Sequence, residues 1–146
     1  MEILSKSTKK TKELAYQIAK KIKVGDVLAL YGDLGSGKTT FVRYLVEALQ
    51  IPARVQSPTF VIARKYEKET GKIRTINHID LYRLTTKEEV TDLGLLETMS
   101  EENSITLIEW PKIAENLLPK DLIKIYFEYV DENTRRINEK SIDRHN

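Results

Sequence analysis

Hydrophobic spacing divides the chain into alternating helical and extended stretches. Between Thr8 and Ile22 the apolar residues Leu14, Ala15, Ile18, Ala19 and Ile22 recur at helical intervals, which predicts an amphipathic helix. Ser7 stands where an N-cap hydroxyl could accept an orphan N–H of the first turn. Val27 to Tyr31 is a short apolar run that enters a glycine-rich loop, the pattern of a strand buried on both faces. From Thr40 to Leu49, Phe41, Leu45 and Leu49 share one helical face with Val42 and Val46 beside it. Phe60 to Tyr66 and Ile73 to Ile79, separated by charged residues and Gly71, predict a β-hairpin. Lys87 to Leu95 predicts a short helix ending near Gly94. Ser104 to Glu109 is a β-rich strand stopped by Pro111, and Ile123 to Val130 is another. Asp131 to Thr134 carries a turn signal. Arg135 onward pairs back before a polar tail over about 138–146. Strands interleaved with helices give an α/β fold, and the hairpins make its sheet mixed.

The loop after the first predicted strand carries the chemistry. Gly32-Asp-Leu-Gly-Ser-Gly37-Lys38-Thr39 matches G-x-x-x-x-G-K-[ST] in full. Glycines let the backbone fold into a nest whose N–H groups point at phosphate oxygens. The helix that follows adds its positive end at the same place. Lys38 supplies a point charge for the β- and γ-phosphates, and Thr39 a hydroxyl for Mg²⁺. A chance match in a chain of this length arises about 0.5% of the time at ordinary glycine usage. The strand before and the helix after reduce that further, so a ligand-free glycine turn is the poorer explanation.

Two later strands end in carboxylates, Asp80 and Glu109. P-loop proteins hold Mg²⁺ through the loop hydroxyl and an acidic residue at such a strand end. Spacing leaves either carboxylate available for the metal or for orienting water. Thr59, in Ser57-Pro-Thr-Phe60, could bond a γ-phosphate or attacking water as switch residues do; the segment equally fits a turn fixed by proline. Arg83 could stabilise transferring phosphate charge, although a surface Arg is the commoner fate. Trp110 suits core packing or a stacking surface. His78, inside a strand, reads as a satisfied packing residue rather than a base.

Composition narrows the remaining classes. The length of 146 residues fits one domain, taken here as 1–146. Apolar residues at 40% and charged residues at 32% suit a soluble globular chain. The absence of Cys removes disulfides and thiolate metal sites, and two histidines do not make a His-rich zinc site. A formal charge of +2 is too small an excess to argue for nucleic-acid binding. No apolar run approaches a membrane span and the N-terminus lacks a signal-peptide layout, so a cytoplasmic location without membrane contact is expected.

Beyond the generic loop, several strings occur in a fixed order: Ser57-Pro-Thr-Phe60, His78-Ile-Asp-Leu-Tyr-Arg-Leu84, Leu93-Gly-Leu95 and Ile108-Glu-Trp-Pro111. Together with the phosphate loop they resemble the TsaE-type P-loop ATPases of bacterial tRNA threonylcarbamoyladenosine biosynthesis, over nearly the whole chain. The resemblance implies a three-layer α/β P-loop NTPase fold with a mixed, largely parallel central sheet. It implies weak, Mg²⁺-dependent ATP hydrolysis that supports threonylcarbamoyl modification of adenosine 37 in ANN-decoding tRNAs. The ATPase would act with a two-subunit transferase, meeting tRNA only indirectly, and would not carry the transferred group. By motif, Gly35, Ser36, Gly37, Lys38, Thr39 and Thr40 would bind phosphates, with Thr39 and Glu109 on Mg²⁺. Asp80 would serve hydrolysis and the metal region, Thr59 would lie near the γ-phosphate, and Trp110 would sit beside the nucleotide. Thr8 and Thr11 would flank the adenine, and Arg136 would approach the nucleotide. Ser36 stands where the family often has Ala, and Tyr44 where it commonly has Gly.

Two other function classes remain open on sequence. A P-loop small-metabolite kinase would carry an Arg-rich lid, which no loop between Gly71 and Glu109 offers. A nucleotide-gated binding module would show different surfaces with ATP and ADP but no useful turnover.

Overall fold

The computed structural model describes residues 2–55 and 63–141. Its seven strands form one sheet in the order β1-β7-β6-β2-β5-β4-β3. These are β1 (Glu2–Ser5), β2 (Val27–Tyr31), β3 (Ala63–Glu67), β4 (Thr75–Asp80), β5 (Ser104–Glu109), β6 (Ile123–Asp131) and β7 (Thr134–Ser141). β6, β2, β5 and β4 run parallel, while β1, β7 and β3 add antiparallel edges. The centre is buried on both faces, so its strands read as continuous apolar runs: all six residues of β5 are buried.

Helices α1 (Thr8–Lys21) and α2 (Lys38–Ala48) cover one face. Leu14, Ala15 and Ile18 of α1 and Phe41, Val42 and Leu45 of α2 pack there on Leu28, Leu30, Ile76, Leu107 and Ile125. Phe41 is fully buried and meets Phe127 edge-on at 5.5 Å between centroids. Truncating it to Ala would cost about 3–5 kcal/mol. The other face holds α3 (Lys87–Asp92), α4 (Leu95–Met99) and a 3₁₀ helix (Pro111–Leu117), packed on Val27, Ala29, Ile79 and Ile108. Three layers result, as the resemblance implies.

The structure corrects several local expectations. β1 was not foreseen; it pairs antiparallel with β7, placing Ile3 opposite Ile137. Ser7 occupies the N-cap of α1 in extended conformation, but its side chain makes no capping bond. The first turn is tied instead by Ser5, whose hydroxyl donates to the Ser7 carbonyl at 2.7 Å and accepts from Thr11 Oγ1 at 2.8 Å. The predicted helix over 87–95 is two helices, because Gly94 adopts φ 75° and ends one while starting the next. β7 continues to Ser141, beyond residue 138 where the polar tail was expected. Its inward positions hold it in the sheet: Ile137 is core, and Glu139 is buried with Lys21 Nζ 3.4 Å away. Of the predicted hairpin, 60–62 lie outside the described residues, and the remainder forms β3 and β4.

Tyr44 fills space between the two helices on its face. It packs against the core edge of α2, and Lys12 of α1 sits 5.9 Å from its ring centroid.

Candidate functional site

A cleft of about 450 Å³ opens at the C-terminal ends of β2, β4 and β5. That edge is where open α/β sheets present their ligand sites. Gly35, Gly37, Lys38, Thr39, Thr40 and Trp110 line it, as do Thr8 and Thr11 from α1 and the two carboxylates Asp80 and Glu109. Ten of the sequence-predicted residues thus converge on one space. Thr59 lies outside the described residues.

The glycine loop adopts its path because side chains are excluded from it. At Gly32 a Cβ would sit 2.6 Å from the Phe127 carbonyl oxygen and 2.6 Å from Ser36 Oγ. Gly37 has φ 106°, a left-handed conformation, and forms the N-cap of α2. The helix therefore begins at Lys38, with its first N–H groups beside the cleft. Ser36 is buried, does not line the cleft, and its hydroxyl has no hydrogen-bond partner among the described residues. Its side chain belongs to the floor of the loop, so only its backbone remains available to a ligand.

Lys38 is 5% exposed. Its ammonium donates to the Gly32 carbonyl, lies 3.9 Å from Glu109 Oε1 and stands 4.3 Å from the Trp110 ring centroid. Burial pushes its pKa below the usual lysine value, against the pull of Glu109, Asp80 and Asp33. Such a lysine is short of countercharge, a state that an incoming polyanion would relieve.

Asp80 and Glu109 are register partners on neighbouring parallel strands, so their side chains leave the same face of the sheet. Asp80 Oδ1 accepts the Tyr82 N–H at 2.9 Å. Burial pushes its pKa up, and Glu109 adds to that against the Tyr82 bond, Lys38 and His78. Glu109 is 4% exposed and accepts from His78 Nε2 at 2.6 Å. Trp110 follows with φ 55°, left-handed for a bulky residue, and its ring lies 4.8 Å from that of Tyr82. Backbone strain of this sort gathers where a side chain must be aimed.

Arg136 does not reach the cleft. Its guanidinium binds Glu128 at 3.0 Å and approaches Glu2 at 4.0 Å on the opposite face. Arg135 takes the place expected for it: Nε donates to the Gly35 carbonyl at 3.1 Å, Nη1 donates to the Asp131 carbonyl at 2.6 Å, and the guanidinium covers Tyr129. Strand alternation decides between them, because Ile137 points into the α1/α2 core and Arg135 shares its face. Ser5, Lys6, Glu132 and Asn133 also line the cleft and were not anticipated; they arrive from β1 and the β6–β7 turn, which only the folded sheet brings there.

Among the described residues, no group of three or more His, Cys, Asp or Glu could hold a metal by itself. The donors that line the cleft, Thr39, Asp80 and Glu109, do suit Mg²⁺, which is commonly held by one or two carboxylates with phosphate oxygens and waters.

Comparison with known proteins matches residues 5–137 to the model of the family described as "TsaE: Threonylcarbamoyl adenosine biosynthesis protein TsaE". The chain belongs to the TsaE family. It is 39% identical over 138 residues to the Aquifex aeolicus tRNA threonylcarbamoyladenosine biosynthesis protein TsaE, spanning 93% of this chain and 92% of that protein. The Bacillus subtilis protein of the same name is 38% identical over 127 residues, 87% of this chain and 77% of its own. The crystal structure of Bacillus subtilis YdiB superposes with a TM-score of 0.79 at 29% identity, covering 99% of this chain and 87% of that one. Membership connects the chain to tRNA threonylcarbamoyladenosine biosynthesis. Among the described residues, no helix is long and apolar enough to cross a membrane.

Proposed function

We propose that this TsaE-family chain binds ATP with Mg²⁺ in the cleft and hydrolyses it slowly, in support of threonylcarbamoyl transfer to adenosine 37 of ANN-decoding tRNAs. It does so with the two-subunit transferase and without carrying the transferred group. The observation that carries this reading is the meeting of a buried ammonium, a helix N-terminus and two in-register carboxylates at one sheet edge.

Loop amides of Gly35 to Thr40 and the Lys38 ammonium take the phosphates. Lys38 then exchanges its Gly32 contact for phosphate oxygens. Thr39 and Glu109 are the residues that would hold Mg²⁺, whose contribution is to neutralise charge on the phosphate oxygens. Asp80, beside Glu109 but more exposed, orients the attacking water. Trp110 and Thr8 and Thr11 flank the nucleotide, and Arg135 borders the loop.

Trp110 is the sole tryptophan and reports on the site. Titration with Mg·ATP is expected to change its fluorescence, and Lys38→Ala should weaken binding by about 10²-fold through the lost charge-assisted contacts. Unchanged affinity in Lys38→Ala, measured by calorimetry, would overturn the reading.

A further inference from the structure

We propose that His78 is a positioning residue that holds the Glu109 carboxylate with one oxygen pinned inward and the other turned to the cleft. The proposal rests on the nucleotide reading above and extends it to a side chain that touches neither nucleotide nor metal.

The observation is a buried chain across three neighbouring strands. Tyr66 of β3 places Oη 2.9 Å from His78 Nδ1, and His78 Nε2 lies 2.6 Å from Glu109 Oε2. The three side chains step diagonally along one face, since Tyr66 pairs with Ile76 and His78 with Leu107, each two residues short of the next member. His78 is 0% exposed and Tyr66 4%. A histidine whose only task was to fill space would be replaced at lower cost by an apolar side chain, because a buried ring nitrogen must find a partner. Here both nitrogens are engaged, one by the very carboxylate that faces the cleft.

The hydrogen-bond inventory fixes the polarity of the chain. An ionised carboxylate only accepts, so Nε2 carries the proton toward Glu109. Tyr66 can donate to Nδ1 or accept from it, so Nε2–H is kept on the carboxylate with the imidazole in either charge state. Oε2 is thereby engaged, while Oε1 points toward Lys38 at 3.9 Å, longer than a hydrogen bond. Released from His78, the carboxylate could rotate and close directly on the Lys38 ammonium, tying up both groups that the phosphates and Mg²⁺ require. Partners of a metal-binding carboxylate commonly contribute 10–100-fold to metal affinity or activity in this way.

The test is a Mg²⁺ titration of binding of a non-hydrolysable ATP analogue, read by Trp110 fluorescence in the full chain. His78→Leu should raise the Mg²⁺ concentration for half-response by about tenfold or more, a larger loss than analogue binding shows in EDTA, where only the Lys38 contact is affected. His78→Gln, which returns an N–H close to the Nε2 position, should recover most of the loss. In a Glu109→Gln background, His78→Leu should add nothing, since its effect travels through Glu109. A folded His78→Leu protein with a wild-type Mg²⁺ midpoint, or additive effects of the two substitutions, overturns the proposal. Should His78→Leu fail to fold, Tyr66→Phe decides: a midpoint raised about threefold supports the chain, and an unmoved one sinks it. A wild-type protein that never responds to Mg²⁺ and the analogue removes the nucleotide reading itself, whereas a responding wild type with indifferent variants removes only the role of His78.

Discussion

Asp80 and Glu109 carry the same charge, end adjacent parallel strands and sit opposite one another in register, yet their surroundings differ. Glu109 is almost fully buried, held by the His78 side chain and close to Lys38. Asp80 is partly exposed and held mainly by the backbone N–H of Tyr82, in a turn closed by Leu84 N–H on the Leu81 carbonyl. Burial raises the Asp80 pKa, and the Tyr82 N–H, Lys38 and His78 offset it only in part. One carboxylate is therefore built into the sheet and the other is presented at its edge. A strand-end position does not assign a role; the neighbours of the carboxylate do.

Removing the built-in member should have the larger consequences. Glu109→Ala deprives His78 of its acceptor, removes the carboxylate beside Lys38 and empties a buried site. We expect about 2–3 kcal/mol of lost stability and a fall in phosphate release of about 10³-fold. Chemical denaturation and steady-state turnover check these together. A stable, active Glu109→Ala protein would erase the distinction between the two carboxylates.

Asp80→Asn should separate stability from activity. The amide keeps an oxygen for the Tyr82 N–H but no longer buries a charge. Turnover should drop by roughly 10²-fold, while stability at neutral pH rises by about 1 kcal/mol, visible as a melting temperature a few degrees higher.

The same shift sets a pH dependence. Asp80 binds its proton more tightly in the folded chain than at the ordinary value of 3.8. Between that value and the raised folded one, the native state holds more protons than the unfolded state. Its contribution to stability therefore grows as pH falls through this window and is lost as pH rises above it. The Asp80→Asn melting curve should lack this component, and wild-type turnover should begin its acid decline above pH 3.8. Identical pH profiles of stability in the two proteins would contradict the raised pKa.

Much of this site was legible before folding was known. The phosphate loop announces itself because glycine spacing, a buried strand and an apolar-faced helix are local signals. Asp80 and Glu109 stood out as charges closing apolar strands. What was hidden was non-local. β1 is only four residues long and gains its place from β7 at the far end of the sequence, so its own pattern is weak. Ser7 sits where a cap belongs, yet the hydroxyl that ties the first turn comes from Ser5. His78 looked like packing because its partners Tyr66 and Glu109 lie on two other strands. The Arg135/Arg136 choice was within reach of the pattern, since a core-facing Ile137 orients every second residue of that strand.

That choice supplies the smallest and cleanest prediction. Arg135 bonds the Gly35 carbonyl from β7 and its stem runs 3.7 Å from where a Gly37 Cβ would lie. Arg136 spends its charge on exposed Glu128 and Glu2 across the other face. Arg135→Ala removes a cation at the rim of the cleft and a brace on the phosphate loop. It should weaken Mg·ATP binding by about three- to tenfold, in keeping with one partly exposed charge-assisted contact. Arg136→Ala loses only solvent-exposed ion pairs, whose worth is about 0–1 kcal/mol of stability, and should leave nucleotide affinity unchanged. Calorimetry on the pair distinguishes them, and an Arg136→Ala protein with the greater loss would mean that β7 presents its opposite face to the nucleotide.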